Sequence, residues 1–453
     1  MSPILIIILS LVTLIFLHEL GHFLAAKANG ISVDAFSIGW GRKLVSYKYG
    51  ETEYRISMLP FGGYCKMRGE ELFKKALDEK AEQFPYQEGS LFSASPWRRI
   101  VTYAAGPGAN FLFSILVMAV IWFSGFTITT FENKIVLLTD HPKLFEERTY
   151  PANQAGLQTG DRIIEANGSS VSSYADIQML ISQSADRRVE LLIERNGEQK
   201  QIFIVPEMDR STGAGRIGIS AWIEPVVERT APDSPGALAG LKENDTIIEI
   251  EGIPISHYLE LYSYLMERPG RVTLTYLRNG SKEETVLVPG YDEHGTPDLG
   301  ISFKPIRVAT PSISPVEALQ KGVTETFTTF ILTLRGLRML FSGVDVGQAV
   351  SGPIRITYFV GEVASSGFQE GIGAGFSAVF RFLSLLSVAL CFGNLLPIPA
   401  LDGGQIVLTV AELIKRSPVS PKTFYRYQTV GVVIIMMILF FTLFSDITYL
   451  FSR

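Results

Sequence analysis

The pattern His-Glu-x-x-His occurs inside the first long apolar run of the chain, which extends from about residue 3 to residue 26. Its members are His18, Glu19 and His22. On a helix, residues four apart lie on nearly the same face, so the two histidines can offer two ring nitrogens to one cation, with Glu19 roughly 100° round the helix. This spacing is typical of zinc proteases. The sequence therefore predicts metal chemistry at membrane depth.

The motif is short, and soluble helices also contain it. Its position favours a functional site, because a charged group in the hydrocarbon core costs roughly 2.5–3.5 kcal/mol and usually marks function. The alternative is that these side chains lie at a helix end and extend to the membrane interface. The remaining histidines, His141, His257 and His294, are isolated in the sequence. We expect them to be surface residues and assign them no role.

The apolar residues are bunched along the chain, which has 453 residues, 47% of them hydrophobic, and a mean hydropathy of +0.24. Four apolar runs are long enough, or nearly so, to cross a bilayer. No Lys or Arg precedes Lys27, so the first run lacks the basic leader of a signal peptide and we expect it to remain in the mature protein. The pattern predicts a multipass α-helical membrane protein with four transmembrane helices, at residues 1–26, 100–124, 378–411 and 429–450.

The segment 412–428 indicates the orientation of these spans. It contains one acid, Glu412, against four basic residues, so we expect it to be cytoplasmic. Alternation then places residues 27–99 in the cytoplasm as well, and both termini and residues 125–377 outside. The basic residues of the segment are Lys415, Arg416, Lys422 and Arg426.

The net charge of −5 gives no basic surface for nucleic acid, and no nucleic-acid-binding motif is present, so we expect no nucleic-acid partner. Cys65 and Cys391 fall in a predicted cytoplasmic segment and in a predicted span. A disulfide between them is therefore not expected.

The outer block contains a tandem repeat, because the segment from Pro151 to Gly168 recurs further along the chain, from Pro235 to Gly252. A duplicated domain explains this, and we place its copies at residues 125–222 and 223–309. The shared positions resemble PDZ domains, which have a β-rich α+β fold and take a peptide or chain end by strand addition. The alternative is that the copies are spacers or a steric filter with empty grooves.

A catalytic zinc site needs a third protein ligand and an open position for water. The segment Asn394–Gly404 offers Asp402 near the predicted cytoplasmic end of the third span, the same end at which the two histidines lie in the first. Pro397 and Pro399 interrupt helical hydrogen bonding, which a membrane tolerates only where the backbone faces protein or a watery cavity. We therefore expect an open, hydrated site there.

The motif in the first span, the NxxPxPxLDG string in the third and the repeats between the middle spans together resemble the site-2 protease family of intramembrane metalloproteases, in particular its bacterial regulator of sigma-E branch. The resemblance covers nearly the whole chain, including residues 105–111 and 351–353. It implies the bacterial inner membrane and Zn²⁺ as cofactor. The metal ligands it implies are His18, His22 and Asp402, with Glu19 as the catalytic base.

Zinc lowers the pKa of bound water and polarises a carbonyl, and Glu19 can accept the proton of that water, so peptide hydrolysis fits. A helical substrate must first unwind. Residues 53–68 mix β-forming residues with a Pro and a Gly pair, which suits a hairpin or looped strand. This segment resembles the family's membrane-associated β-loop, on the cytoplasmic side, which could pair with the substrate; the alternative is an ordinary cytoplasmic hairpin. The candidate substrate-binding residues are Asn394, Pro397, Pro399, Met58, Leu59, Phe61, Gly62 and Gly63.

Asn394 has an alternative role, which is to brace the broken helix. Residues 310–377 are predicted to form linker helices outside the membrane. Within them, residues 315–340 read as an amphipathic helix on the outer membrane surface.

The leading hypothesis is an intramembrane zinc endopeptidase that cuts single-span membrane proteins. The resemblance implies anti-sigma-factor substrates and leftover signal peptides, with the PDZ tandem excluding bulky substrates; membrane lipid surrounds the spans. The alternative is a non-proteolytic PDZ scaffold or membrane chaperone with a structural metal. Glu19 argues against it, since a structural site needs no base. A serine protease has little support, because no GxSxG string occurs.

Overall fold

A computed structural model describes residues 3–210, 212–339 and 350–451, and the chain divides into two compact units. The first unit consists of Met1–Phe126 and Pro311–Arg453, and the second of Thr127–Thr310. The second unit is therefore inserted into the chain of the first.

The first unit is largely helical, and four helices among the described residues are long and apolar enough to cross a membrane. They cover Ile8–Ala28, Pro96–Ser124, Ile372–Leu395 and Pro421–Tyr449. The prediction of four membrane helices is confirmed at this level. The α-helices among the described residues are α1 (Pro3–Ala28), α2 (Glu70–Asp78), α3 (Pro96–Ser124), α4 (Pro151–Gln154), α5 (Tyr174–Ser182), α6 (Pro235–Leu238), α7 (Tyr258–Leu265), α8 (Pro315–Met339), α9 (Pro353–Glu370), α10 (Ile372–Leu395), α11 (Asp402–Lys415) and α12 (Pro421–Phe451).

The strands fall into one long hairpin in the first unit and several short sheets in the second. They are β1 (Val33–Tyr49), β2 (Thr52–Met67), β3 (Phe126–Thr130), β4 (Ile135–Leu137), β5 (Arg162–Ala166), β6 (Ser169–Ser170), β7 (Val189–Arg195), β8 (Glu198–Ile204), β9 (Glu207–Met208), β10 (Gly215–Arg216), β11 (Ile219–Ala221), β12 (Val227–Thr230), β13 (Thr246–Ile250), β14 (Ile253–Pro254), β15 (Val272–Arg278), β16 (Ser281–Leu287), β17 (Gly290–Tyr291), β18 (Pro297–Asp298), β19 (Ile301–Phe303) and β20 (Ile306–Thr310).

The third membrane segment, predicted over residues 378–411 with its helical hydrogen bonding interrupted at Pro397 and Pro399, consists of two helices. Helix α10 begins earlier, at Ile372, and ends at Leu395, and α11 begins at Asp402. The two prolines at 397 and 399 lie in the break, where they cannot donate helical hydrogen bonds. The predicted cytoplasmic loop 412–428 is also mostly helical, since α11 continues to Lys415 and α12 starts at Pro421.

The hairpin β1–β2 is longer than the predicted loop at residues 53–68. Residues 43–49 of β1 pair antiparallel with residues 52–57, and residues 35–38 of β1 have partners on both sides, at residues 53–56 and 63–66. Register shifts interrupt the pairing, so β2 folds back along β1 instead of forming a simple two-stranded ladder. This arrangement leaves residues 63–67 at an edge of the small sheet, next to α1.

Helix α8 lies along α3, so the prediction of a helix flat on the outer membrane surface is wrong. Trp122 Nε1 donates to Glu325 Oε1 at 2.7 Å, and the hydroxyls of Ser114 and Thr326 lie 3.1 Å apart. Further along, the Phe111 ring packs edge-on against a phenylalanine of α8, with ring centres 5.0 Å apart. These contacts extend over about 16 Å of helix α3, which is more than half of a hydrocarbon core. Residue 340, the last of the predicted helix, lies outside the described residues.

The second unit contains two similar halves. In the first half the strand order is β6-β5-β7-β8, and in the second half it is β14-β13-β15-β16. Each half has its own buried apolar cluster, around Ile163 and Leu191 in the first and around Ile247 and Leu274 in the second. The duplication in sequence therefore corresponds to a duplicated sheet and core.

One shared residue of the repeat has the same contacts in both halves. Asp161 accepts a hydrogen bond from the backbone of Gln158 and pairs with Arg195 at 2.7 Å. In the second half, Asp245 accepts from the backbone of residue 242 and pairs with Arg278 at 2.7 Å. Both aspartates are 1% exposed. The carboxylate thus closes the turn before the strand and neutralises an arginine beside it, because a buried charge needs a partner.

Two of the histidines expected on the surface are buried together instead. His141, from the first half, is 6% exposed and lies with its ring centre 5.2 Å from that of His257, in the second half, which is 2% exposed. The Trp222 ring packs on His257, and the Lys134 ammonium lies 3.3 Å from the centre of that indole. Burial lowers the pKa of both imidazoles, that of His257 to about 4. Both rings are therefore neutral at pH 7.

Candidate metal and catalytic site

Helices α1 and α11 bring three potential metal ligands together: His18, His22 and Asp402. The Nε2 atoms of His18 and His22 lie 3.2 Å apart. Those atoms lie 3.3 and 3.4 Å from the two carboxylate oxygens of Asp402. The three side chains are 13%, 8% and 16% exposed.

These separations fit a tetrahedral zinc ion. Zinc binds imidazole nitrogen and carboxylate oxygen at about 2.0–2.2 Å, and in a tetrahedron such bonds place the ligand atoms about 3.3–3.5 Å apart. The donor set of two imidazoles and one carboxylate leaves one position open, as catalytic zinc sites do. The residues present therefore fit the metal.

Close packing of α1 on α3 positions the histidines. A Cβ at Gly21 would lie 2.2 Å from the carbonyl oxygen of Ala105, and a Cβ at Gly106 would lie 2.3 Å from His22 Nε2. His22 Nδ1 lies 2.8 Å from the backbone oxygen of Thr102. Because a carbonyl only accepts, this contact holds the proton on Nδ1 and leaves Nε2 free to bind a metal.

Asp402 is the first residue of α11, where the helix dipole favours a carboxylate. The two glycines after it allow the connecting loop to pack on this first turn. A Cβ at Gly403 would lie 2.2 Å from the oxygen of Leu395, and a Cβ at Gly404 would lie 2.2 Å from that of Ile398. The sequence LDGG therefore fixes the carboxylate against the break in the third segment.

Glu19 faces the edge of the β-hairpin. A Cβ at Gly63 would lie 3.2 Å from Glu19 Cγ, and Cys65 lines the same cavity as Glu19. Burial raises the pKa of the Cys65 thiol to about 12, so this cysteine is a neutral thiol beside the site. The glutamate thus lies between the metal ligands and a β edge.

A cavity of about 880 Å³ contains the three ligands and Glu19. Its wall includes the edge of β2 and a group of aromatic rings, of which Phe73 and Phe92 each have their centre 5.4 Å from that of Phe424. It is large enough to hold several residues of an extended peptide. Other residues of its wall are Trp40, Tyr64, Cys65, Lys66, Met67, Arg68, Leu91, Tyr103, Asn394, Ala400, Leu401, Gln405 and Gln428.

The candidate substrate-binding residues of the third segment occupy different places. Asn394 lines the cavity, and its amide also donates to the Leu390 oxygen of its own helix at 3.1 Å. Pro397 lies in the break between the helices. Pro399 packs on α12, where a Cβ at Gly431 would lie 1.7 Å from its carbonyl oxygen. For Asn394, the geometry is compatible with substrate binding and with bracing the helix end.

The candidate substrate-binding residues of the β-loop also occupy different places. Gly63 lies against Glu19, and the backbone oxygen of Gly63 accepts a hydrogen bond from Trp40 Nε1 at 2.9 Å. Gly62 lies against the Trp40 indole, whereas Met58 and Leu59 are about half exposed. Phe61 belongs to β2, and its side chain lies outside the described part of the chain. These roles stay predictions.

Several residues of the site were not identified from the sequence. Tyr64, Lys66 and Arg68 lie inside the predicted loop at residues 53–68, where they alternate along the strand, but they were not among the candidate substrate-binding residues. Thr102 and Gly106 act through packing between helices, and Tyr103 and Gln405 line the cavity from α3 and α11. Only their proximity to the quoted motifs could have indicated them.

Comparisons with known proteins extend over nearly the whole chain. A family model described as Peptidase family M50 matches residues 6–438. A putative zinc metalloprotease of Treponema pallidum is 38% identical over 449 residues, which are 98% of each chain. The regulator of sigma E protease of Haemophilus influenzae is 29% identical over 461 residues, 97% of each chain. Among solved structures, the PDZ domain of an SdrC-like protein of Listeria innocua matches 18% of this chain and 92% of its own, at 26% identity and a TM-score of 0.17.

Proposed function

This chain belongs to Peptidase family M50, the site-2 proteases, and is a metalloprotease; from that premise we propose that it cuts single-span membrane proteins within or near their transmembrane segments. The four candidate membrane helices and the relatives named zinc metalloproteases support a zinc enzyme of the bacterial inner membrane. The proposed substrates are anti-sigma factors and remnant signal peptides, in regulated intramembrane proteolysis.

One observation carries the proposal. The Nε2 atoms of His18 and His22 and the carboxylate of Asp402 lie 3.2–3.4 Å apart in one cavity with Glu19. A structural zinc site is normally closed by four protein ligands, whereas three ligands beside a carboxylate base are typical of hydrolysis.

The chemistry then divides between the metal and the chain. A bound zinc ion would lower the pKa of a water molecule and polarise the scissile carbonyl. Glu19 accepts the proton of that water and later donates it to the leaving amine.

The substrate backbone is held by the edge of β2. Peptide carbonyls in a helix are hydrogen-bonded and shielded, so the substrate must be extended where it is cut. Residues 63–67 form a sheet edge beside Glu19, and an extended segment can add to such an edge. Asn394 lines the same cavity and could bond to the substrate backbone.

We propose that the two halves of the second unit are PDZ domains outside the membrane, where they exclude proteins with bulky outer domains. The groove of the first copy can accept a peptide or chain end better than the corresponding groove of the second copy. A cavity of about 230 Å³ lies between α5 and residues 214–219, with Gln178 and Ile219 in its wall. At the positions that correspond to these two in the repeat, the second copy has Tyr262 and Phe303, two bulky rings whose centres lie 6.5 Å apart.

The proposed orientation places the metal site toward the cytoplasm and both termini outside. The basic residues around residues 415–426 support it, because cytoplasmic loops are enriched in Lys and Arg.

The proposal is tested with purified protein in detergent, by comparing wild type with Glu19→Gln. Cleavage of a tagged single-span anti-sigma-type substrate and zinc content are measured on the same samples. We expect Glu19→Gln to keep zinc and to lose cleavage by about 10²–10⁴-fold, the usual contribution of a general base. The matched control is Glu198→Gln, in the first repeat, whose side chain is 76% exposed; it should cleave like wild type. If zinc binds but a panel of single-span substrates stays whole with every protein, the scaffold alternative is correct.

A further inference from the structure

Asn110 lies at the junction of three helices, beside a proposed zinc ligand. It belongs to α3 and is fully buried, at 0% exposure. Its backbone oxygen accepts a hydrogen bond from Ser387 Oγ of α10 at 2.9 Å. Its side-chain Nδ2 lies 3.3 Å from His18 Nδ1 of α1. The amide therefore contacts the ring nitrogen of His18 that faces away from the other ligands.

The tautomer of the neutral His18 ring decides which atom of the Asn110 amide can make this contact. His18 Nε2 faces His22 and Asp402, so it is the nitrogen available to the metal. A neutral imidazole that binds metal through Nε2 carries its proton on Nδ1, and that donor needs an acceptor. An amide nitrogen cannot accept, whereas the amide oxygen can.

The asparagine amide can present either atom, since rotation by 180° about its last side-chain bond exchanges them. With Nδ2 toward His18, the ring must hold its proton on Nε2, which blocks the metal position. In that orientation Oδ1 is buried and has no hydrogen-bond partner among the described residues. With Oδ1 toward His18, the ring holds its proton on Nδ1 and Nε2 is free.

We propose that Asn110 is a positioning residue, whose side-chain oxygen accepts the Nδ1 proton of His18 and holds this ligand in the tautomer that binds metal. This inference rests on the zinc site of the proposed function. It assigns to Asn110 the role that the Thr102 carbonyl has for His22.

The spacing of residues on α3 indicates that one face of this helix contacts both histidines. Thr102, Gly106 and Asn110 are four residues apart and therefore lie on one side of the helix. Thr102 contacts His22 Nδ1, Gly106 leaves room for the His22 ring, and Asn110 contacts His18 Nδ1. Partners of this kind typically change metal affinity by about 10- to 100-fold.

The test measures zinc affinity by competition with a chelator on the full-length protein in detergent, separately from cleavage. Asn110→Leu removes the acceptor at similar volume, and we expect zinc affinity to fall about 10- to 100-fold. Asn110→Asp keeps an acceptor oxygen, and we expect it to bind zinc at least 10-fold more tightly than Asn110→Leu. Ser387→Ala is the matched control, because it removes the bond to the Asn110 backbone and leaves the amide; its affinity should stay within about threefold of wild type.

The outcomes separate this inference from the proposed function. If wild type binds zinc and cleaves, and Asn110→Leu binds zinc as tightly, the positioning role is wrong and the protease stands. If wild type binds no zinc, both are wrong. If Asn110→Leu does not fold, Asn110→Ala takes its place; a purely structural role predicts that Asn110→Ala and Asn110→Asp bind zinc equally, which would overturn the inference.

Discussion

A methyl group at residue 106 should remove zinc without unfolding the protein. A Cβ at Gly106 would lie 2.3 Å from His22 Nε2, 2.6 Å from Cε1 and 2.8 Å from Cδ2 of the same ring. An ordinary contact begins near 3.4 Å, so the ligand atom must move by about 1.1 Å (3.4 − 2.3). Metal–ligand distances tolerate only about 0.2 Å. The displacement is therefore about five times larger than the site accepts.

The free energy of unfolding, unlike the zinc affinity, should rise or change only slightly. Gly106 lies inside α3, and alanine is favoured over glycine in a helix interior by about 1 kcal/mol. That gain offsets part of the cost of moving the His22 ring, which also weakens the bond of its Nδ1 to the Thr102 oxygen. We expect Gly106→Ala to fold and to bind zinc at least 10-fold more weakly than wild type.

The matched control is Gly108→Ala, two positions along the same helix, because a Cβ there meets nothing within 4 Å. Zinc per chain is measured by mass spectrometry of the metal after dialysis against a weak chelator, and folding by thermal unfolding in detergent. Gly108→Ala should keep wild-type zinc content. If Gly106→Ala instead keeps full zinc and cleaves like wild type, the His22 ring can move without loss of the metal, and the predicted clash does not limit zinc binding.

Two further predictions concern buried charges and pH. Arg99 and Glu412 form an ion pair between α3 and α11, with side chains 11% and 7% exposed. Arg99→Met alone leaves the Glu412 carboxylate buried without its partner and should lower the free energy of unfolding by about 3–5 kcal/mol. Adding Glu412→Leu to Arg99→Met should restore most of that loss. A loss below about 1 kcal/mol for the single change would contradict this. For His257, the pKa of about 4 lies below the ordinary value of 6.5, so the unfolded chain binds a proton first as the pH falls. The stability present above pH 6.5 should be lost between pH 6.5 and 4, as followed by thermal unfolding, and His257→Phe should lose less. Parallel curves would show that the pKa of His257 is not lowered in the folded protein.

The three proposed metal ligands could be identified from the sequence because each lies in a short motif. His18 and His22 are one helical turn apart, and Asp402 lies in a string whose two prolines mark a break. The supporting residues could not be identified in this way. Gly106 matters only because His22 Nε2, from another helix, would lie 2.3 Å from a Cβ at this position. The spacing of residues within one helix does not show which residues of another helix lie nearby.

The wrong predictions have a similar cause. A helix whose polar residues face another helix shows the same pattern as one whose polar residues face water, so α8 read as a surface helix. Its Glu325 and Thr326 instead bond to Trp122 and Ser114 of α3. His141 and His257 belong to different copies of the repeat, and only the folding of both copies brings them together.

The proposed ligand set also has a consequence for the time at which the protein becomes active. His18 and His22 are made first, and Asp402 follows only after most of the chain has been synthesised. At a synthesis rate of about 5–20 residues per second, this interval lasts roughly 20–80 s. During it, the nascent chain has the base and two imidazoles in the membrane, but no third ligand. The proposed function therefore implies that a newly made molecule cannot cut its neighbours at the insertion site until its own last helices have been made.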